Sequence, residues 1–238
     1  MRLTLRLAAM IGGLIFCLPL HSLAQIGGGR SPWPRLFLRW VGRAAGMRAR
    51  IVGRPLPGHV LFVTNHLSWL DIILLAGATG TAFVAKQEIA RWPLVGWLAR
   101  INRTIFVART DRGNVRGQAD ALRIGLASSQ PVTLFPEGTT DGGLAVLPFR
   151  PSLLAALYPP LPGLKVQPVA IDYGAAGEEI AWVGTESAAA NARRILSRRD
   201  TTPVVLTFLD PIDPAALADR KELADCSRAA IIKALDAR

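Results

Sequence analysis

The 238-residue chain is poor in the side chains from which metal and redox centres are built, with two cysteines and three histidines. Cys17 lies in an apolar run and Cys226 in a C-terminal helical pattern. Two such cysteines make neither a disulfide framework nor a metal site, so a reducing compartment is the expected setting. The histidines are too few and too scattered to suggest a metal, and none is expected. No G-x-S-x-G elbow is present, so the parts of a serine hydrolase are not evident. There is no internal repeat and no low-complexity tract, and the only linker-like stretch is the glycine-rich one at residues 27–30. Basic residues are neither interleaved with aromatics on a sheet pattern nor set in a helix-turn-helix, which argues against nucleic acid as a partner. Acidic side chains are also scarce: 17 Asp and Glu stand against 28 Lys and Arg, a formal charge of +11. That balance suits an anionic partner such as a lipid head-group layer or an acidic carrier.

What the chain does have begins at its N-terminus. Arg2 and Arg6 precede an apolar run from Leu7 to Leu20, broken near its end by Pro19 and His21. Extended to Ala24, the run just reaches the length needed to cross a bilayer. Ser22-Leu23-Ala24 has the small-x-small form of a signal-peptide cleavage site, so a cleaved leader competes with a retained anchor over 1–26. The next segment favours the anchor. Trp33, Leu36, Phe37, Trp40, Val41 and Ala44 recur at helical spacing, while Arg35, Arg39, Arg43 and Arg50 lie off that stripe. Tryptophans flanked by arginines predict an amphipathic interfacial helix over 31–50.

Residues 51–238 read as one α/β domain. "HVLFVTN", "TAFVAK", "TIFVAR", "PVTLFPEG", "LKVQPVAIDY" and "PVVLTFLDPI" predict strands. "SWLDIILLAGATG", "EIARWPLVGWLARIN", "NVRGQADALRIGLASS", "RPSLLAALYPP" and the C-terminal "PAALADRKELADCSRAAIIKALDAR" predict helices. The class is therefore α/β, with a largely buried sheet flanked by helices and preceded by a membrane-associating helical segment.

His66 stands where a buried strand ends, and Asp71 follows five residues later. On a continuous helix residues five apart do not share a face. The two can meet if His66 sits in a turn and Ser68 caps the following helix, which puts Asp71 in its first turn. An aspartate that accepts one ring N–H leaves the other nitrogen free as a base. The bland alternative is a capping box with a turn histidine beside it. Three further strand ends carry Arg109, Glu137-Gly138 and a proline, Pro168, that is expected at an edge or a bulge.

These blocks, "NHLSWLD", "RTIFVAR", "FPEGTT" and "VQPVAI", resemble in order those of the glycerolipid acyltransferases typified by the 1-acyl-sn-glycerol-3-phosphate (lysophosphatidic acid) acyltransferases. The resemblance covers roughly Val60 to Ile171. It implies a mixed sheet and transfer of a fatty acyl group from acyl-CoA or acyl carrier protein to a lysolipid hydroxyl, with no cofactor. It implies that His66 is the base and Asp71 its partner. Glu137, Gly138 and Thr139 would line the acceptor site, and Arg109, Lys86 and Arg150 would meet an acidic head group. It places the enzyme among membrane lipids, on the cytoplasmic face of the inner or plasma membrane. The chain departs from the family twice. Arg103 stands where glycine is usual, and Thr140 where phosphate-using members commonly have arginine. Lysophosphatidate is the expected acceptor, lyso-ornithine lipid the alternative, and a basic membrane-binding protein the non-enzyme reading.

Overall fold

The computed structural model describes residues 1–26, 28, 31–107, 122–127, 130–140, 142 and 145–237. Its strands are β1 (Met47–Val52), β2 (Val60–Thr64), β3 (Ala82–Lys86), β4 (Ile105–Val107), β5 (Val132–Leu134), β6 (Lys165–Asp172) and β7 (Thr202–Phe208). Its main helices are α1 (Arg2–Ile26), α2 (Trp33–Ala44), α3 (Trp69–Thr79), α4 (Pro93–Ile101), α5 (Ala188–Ser197) and α6 (Arg220–Asp236).

The five residues of β2 are all buried. Val60 and Phe62 enter a cluster with Leu70, Leu74 and Leu75 of α3 and Ile195 of α5. Leu61 and Val63 enter a second cluster with Leu126, Leu154, and Leu223 and Ile231 of α6. A strand apolar on both faces needs a helical layer on each. β2 accordingly lies at the centre of a seven-stranded sheet, in the order β1-β7-β6-β2-β5-β3-β4. It pairs in parallel with both β5 and β6. β5, β3 and β4 continue in parallel, whereas β7 runs antiparallel to β6 and carries β1 alongside it. The sheet is therefore mixed, and the carboxyl ends of β2, β5 and β6 lie side by side, where open α/β sheets form their crevices.

α1 is long and apolar enough to cross a membrane, and little of its most apolar window is buried. It folds back along α2. Trp40 Nε1 donates to Ala9 O at 2.8 Å, Phe16 meets Trp33 edge-on, and Cys17 packs with Phe37 and Val41. Its basic end is held on the domain, where Arg6 donates to Ile195 O at 3.2 Å and Arg2 to Arg199 O. These carbonyls lie at and just past the C-terminus of α5, where positive charge is favoured.

Several expectations need correction. The amphipathic helix was expected to reach Arg50, but it ends at Ala44. Gly46, at φ 89°, turns the chain into the edge strand β1, whose alternating arginines resemble helix-face residues in the sequence. The "EIARWPLVGWLARIN" helix divides into a 3₁₀ turn, Gln87–Arg91, and α4, because Pro93 suits a first helical position and not an interior one. "PSLLAAL" is likewise 3₁₀, and α5 was not anticipated. Most of the "NVRGQADALRIGLASS" helix lies outside the described residues, although 122–127 are helical. β6 is internal and not an edge. Its proline sits where the pairing with β7 breaks, between the Val169–Phe208 pair and the Val166–Ile212 bridge. Three residues separate the first partners and four the second, so the missing N–H falls at a bulge-like step. Arg103 adopts φ 59°, the left-handed region in which glycine is favoured, so the backbone at this position is strained.

α2 and α3 cross closely at Gly77, where an added Cβ would come within 2.8 Å of the Arg39 Cα and N. Alanine improves helix propensity by about 1 kcal/mol, while overpacking costs about 1–3 kcal/mol. Gly77→Ala is therefore expected to lower stability by about 1 kcal/mol net, read as a reduced denaturant midpoint in detergent. An unchanged or raised midpoint would show that the crossing yields easily.

Candidate active site

The site is built around the turn that leaves β2. Asn65, buried at the strand end, donates from Nδ2 to Ile171 O and accepts from Ile171 N, both at 2.9 Å. This amide pair locks the end of β2 to β6 and releases the chain into the His66 turn. Ser68 then caps α3, and its own N–H is returned to the Asp71 side chain in a capping box. The capping and catalytic readings are thus compatible, because one carboxylate serves both.

Asp71 is fully buried. Its Oδ2 accepts the Leu67 N–H at 2.7 Å and the Ser68 N–H at 2.8 Å, and lies 2.9 Å from His66 Nδ1. Its Oδ1 accepts the Tyr173 hydroxyl at 2.6 Å. With both oxygens accepting, the group acts as a carboxylate, Nδ1 carries the ring hydrogen, and Nε2 keeps its lone pair. The imidazole stacks on Phe135 with centroids 3.8 Å apart, and its side chain is 16% exposed, so it is fixed in plane yet reachable.

Glu137, 2% exposed, is on the other side of the turn. Its Oε1 accepts the His66 N–H at 2.8 Å and its Oε2 accepts the Leu147 N–H at 3.1 Å. It reaches this position because Gly138, at φ 75°, closes a turn onto Phe135 O. The β5 exit thus holds the backbone of the histidine, and the β6 exit holds its carboxylate partner.

Of the remaining expected residues, the described ones, Thr139, Lys86 and Arg150, do not join this cluster. Thr139 is exposed, and its hydroxyl points to Thr140 O. Lys86 and Arg150 are exposed and do not line the cleft beside His66, and Arg109 lies outside the described residues. The Thr140 hydroxyl donates to Trp182 O, while Trp182 N donates to Leu67 O, so this residue bridges the third block to the histidine turn. The cleft is lined by His66, Glu137, Asp172, Tyr173, Arg228 and Asp236 among others. Arg228 donates to Val146 O and Leu147 O, fixing the loop that meets Glu137. Tyr173 and Arg228 were missed in the sequence. The signal for the first was a polar aromatic just after "VQPVAID"; the second, in mid-helix, gave none.

A family model described as Acyltransferase matches residues 49–172. The chain is 34% identical to a lyso-ornithine lipid O-acyltransferase of Rhodobacter capsulatus, over 97% of this chain and 88% of that one. It is 38% identical to a 1-acyl-sn-glycerol-3-phosphate acyltransferase of Neisseria gonorrhoeae, over 51% and 48% respectively. The crystal structure of the 1-acyl-sn-glycerophosphate acyltransferase of Thermotoga maritima shares the fold, with a TM-score of 0.62 at 22% identity, covering 98% of this chain and 97% of that one.

Burial and the adjacent Asp71 charge hold the Tyr173 phenol well above its usual value near 10. The unfolded chain therefore loses this proton at a pH where the native chain keeps it. The stability that this group contributes is full below about pH 10 and falls as pH rises above it. Thermal unfolding from pH 8 to 11 is expected to show that decline, with a shallower slope in Tyr173→Phe. Equal slopes would place the alkaline sensitivity elsewhere.

Proposed function

The chain belongs to the 1-acyl-sn-glycerol-3-phosphate acyltransferase family and is an O-acyltransferase of lysolipids; on that premise we propose that its acceptor is lyso-ornithine lipid. The observation that carries this is the charge of the cleft. Among the described residues, Arg228 is the one lysine or arginine that lines it, and its guanidinium is bonded to backbone carbonyls. A phosphate monoester carries up to two negative charges and calls for convergent cations. An ornithine head group brings an ammonium with its carboxylate, which such a lining tolerates. Thr140 adds no charge, and its hydroxyl is already bonded to Trp182 O. Relatives matched along most of their length, such as the Rhodobacter protein, also bear the lyso-ornithine name. Lysophosphatidate is the second reading, favoured by the "FPEGT" block shared with the glycerophosphate enzymes.

The chemistry follows from the site. Nε2 of His66 takes the proton of the acceptor hydroxyl as its oxygen attacks the thioester carbonyl. The C–O bond forms, the C–S bond breaks, and the thiolate leaves with a proton from the imidazolium. Asp71 supports the imidazolium while it exists. No enzyme nucleophile is needed, because the acceptor itself attacks. Glu137 keeps the histidine turn in place beside the acceptor. A thioester on CoA or on an acyl carrier protein satisfies the same scheme. Lys86, Arg109 and Arg150, expected from the sequence to meet an acidic acceptor head group, are reassigned in this scheme to the acidic donor.

The enzyme works at the cytoplasmic face of a membrane, where the thioester donors are. The docking of Arg2 and Arg6 on the domain supports retention of α1 as an anchor, with α2 beside it. Intact-mass measurement of the membrane-extracted chain is expected to include residues 1–24, and a chain starting at Gln25 would contradict this.

His66→Ala is expected to reduce transfer about 100-fold or more with membrane binding unchanged. Retention of more than about a tenth of the activity would remove the base assignment. In competition, wild type is expected to prefer lyso-ornithine lipid over lysophosphatidate, and Thr140→Arg to gain lysophosphatidate activity. A wild type that strongly prefers lysophosphatidate would reverse the acceptor assignment.

A further inference from the structure

Tyr173 has no role in the scheme above, yet it is fully buried against its centre. Among the described residues it is the one side chain that donates to Asp71 Oδ1, and it comes from the end of β6, 102 residues along the chain. The other oxygen serves the imidazole and two backbone amides. We propose that Tyr173 is a positioning residue of the transfer reaction, resting on the assignment of His66 as base: by occupying Oδ1 it presents Oδ2 alone to the imidazole and draws part of the carboxylate charge away from it.

Both effects follow from the geometry. A buried carboxylate oxygen without a donor is unfavourable, so losing the phenol would leave the orientation of the group to the donors on Oδ2 alone. The charge formerly shared with the phenol would also concentrate toward His66. An imidazolium beside a stronger negative charge holds its proton to higher pH. The base would then be occupied by a proton in the range where wild type is active. The phenol can serve only while it keeps its proton, and its burial beside Asp71 ensures that.

Other charged groups face the same cleft and must be separated from this effect. Among the described residues they are Glu137 after β5, Asp172 at the end of β6, and Arg228 and Asp236 on α6. Glu137 meets the histidine at its backbone N–H, and Arg228 meets the 146–147 carbonyls. Neither donates to Asp71, so removal of the Tyr173 hydroxyl isolates one hydrogen bond.

Tyr173→Phe keeps the ring and removes the bond. With three histidines in the sequence, the His66 ring is resolvable by NMR in the full chain in detergent micelles. The His66 titration midpoint is expected to rise by about half a unit or more in the variant, with His21 and His59 unchanged. The acid limb of kcat/KM for acyl transfer is expected to move by the same amount. In an Asp71→Asn background, Tyr173→Phe should move neither, since the phenol acts through that carboxylate. An unmoved His66 titration, or an equal shift in the Asp71→Asn background, would overturn the positioning role. An unmoved titration with an inactive His66→Ala removes this role alone. A moved titration with a fully active His66→Ala removes the proposed chemistry and the role with it.

Discussion

The Asp71 carboxylate is the group on which the other parts of the site depend. An ionised side chain with no exposure to water is costly unless its charge is met by donors. Here four donors meet it: two amides of the turn that precedes α3, an imidazole and a phenol. Three separate requirements converge on this one group. The turn must be tight enough to bring residues 67 and 68 back to it, the histidine must be coplanar with it, and β6 must end beside β2. A carboxylate that caps its own helix is held by the helix, so the imidazole it orients is held by the helix as well.

The sheet order explains how distant segments reach this point. Because β2 is flanked by β5 and β6, all parallel, their carboxyl ends deliver Glu137 on one side of the turn and Tyr173 on the other. The two contacts are complementary. Glu137 fixes the histidine through its main chain and Tyr173 through its partner's side chain. Trp182 closes the arrangement with its own main chain, accepting from Thr140 and donating to Leu67. The residue type at position 140 is thereby coupled to the loop that carries Trp182, and through it to the histidine turn.

The local parts of this design were legible in the sequence. Six of the seven strands follow from apolar runs with turn residues at their ends, and the meeting of His66 and Asp71 follows from a strand stop, a serine cap and a five-residue spacing. What was not legible depends on partners far along the chain. Tyr173 reads as an ordinary strand-end aromatic until β6 is placed beside β2. Glu137 was expected to face the acceptor, but the sequence could not show that two backbone amides take its oxygens. β1 was hidden because arginines alternating along an exposed edge strand also match the polar face of a helix. Pro168 left an edge and a bulge both open, and only the placement of β7 beside β6 decides for the interruption in one ladder of an internal strand.

The distance in sequence between Asp71 and Tyr173 has a consequence for biosynthesis. The contacts of residues 66–71 with one another are local and form early, whereas those with β6 wait until the intervening segments have closed into the sheet. As the chain leaves the ribosome, the helices that carry the apolar surface emerge first, and the histidine turn follows without its phenol or its β6 clamp. Until residue 173 is synthesised and docked, the nascent protein has its long apolar helix and an incomplete set of donors around Asp71. The apolar surface is therefore complete before the centre is, and a truncated product would lack the completed centre even where its first half had folded.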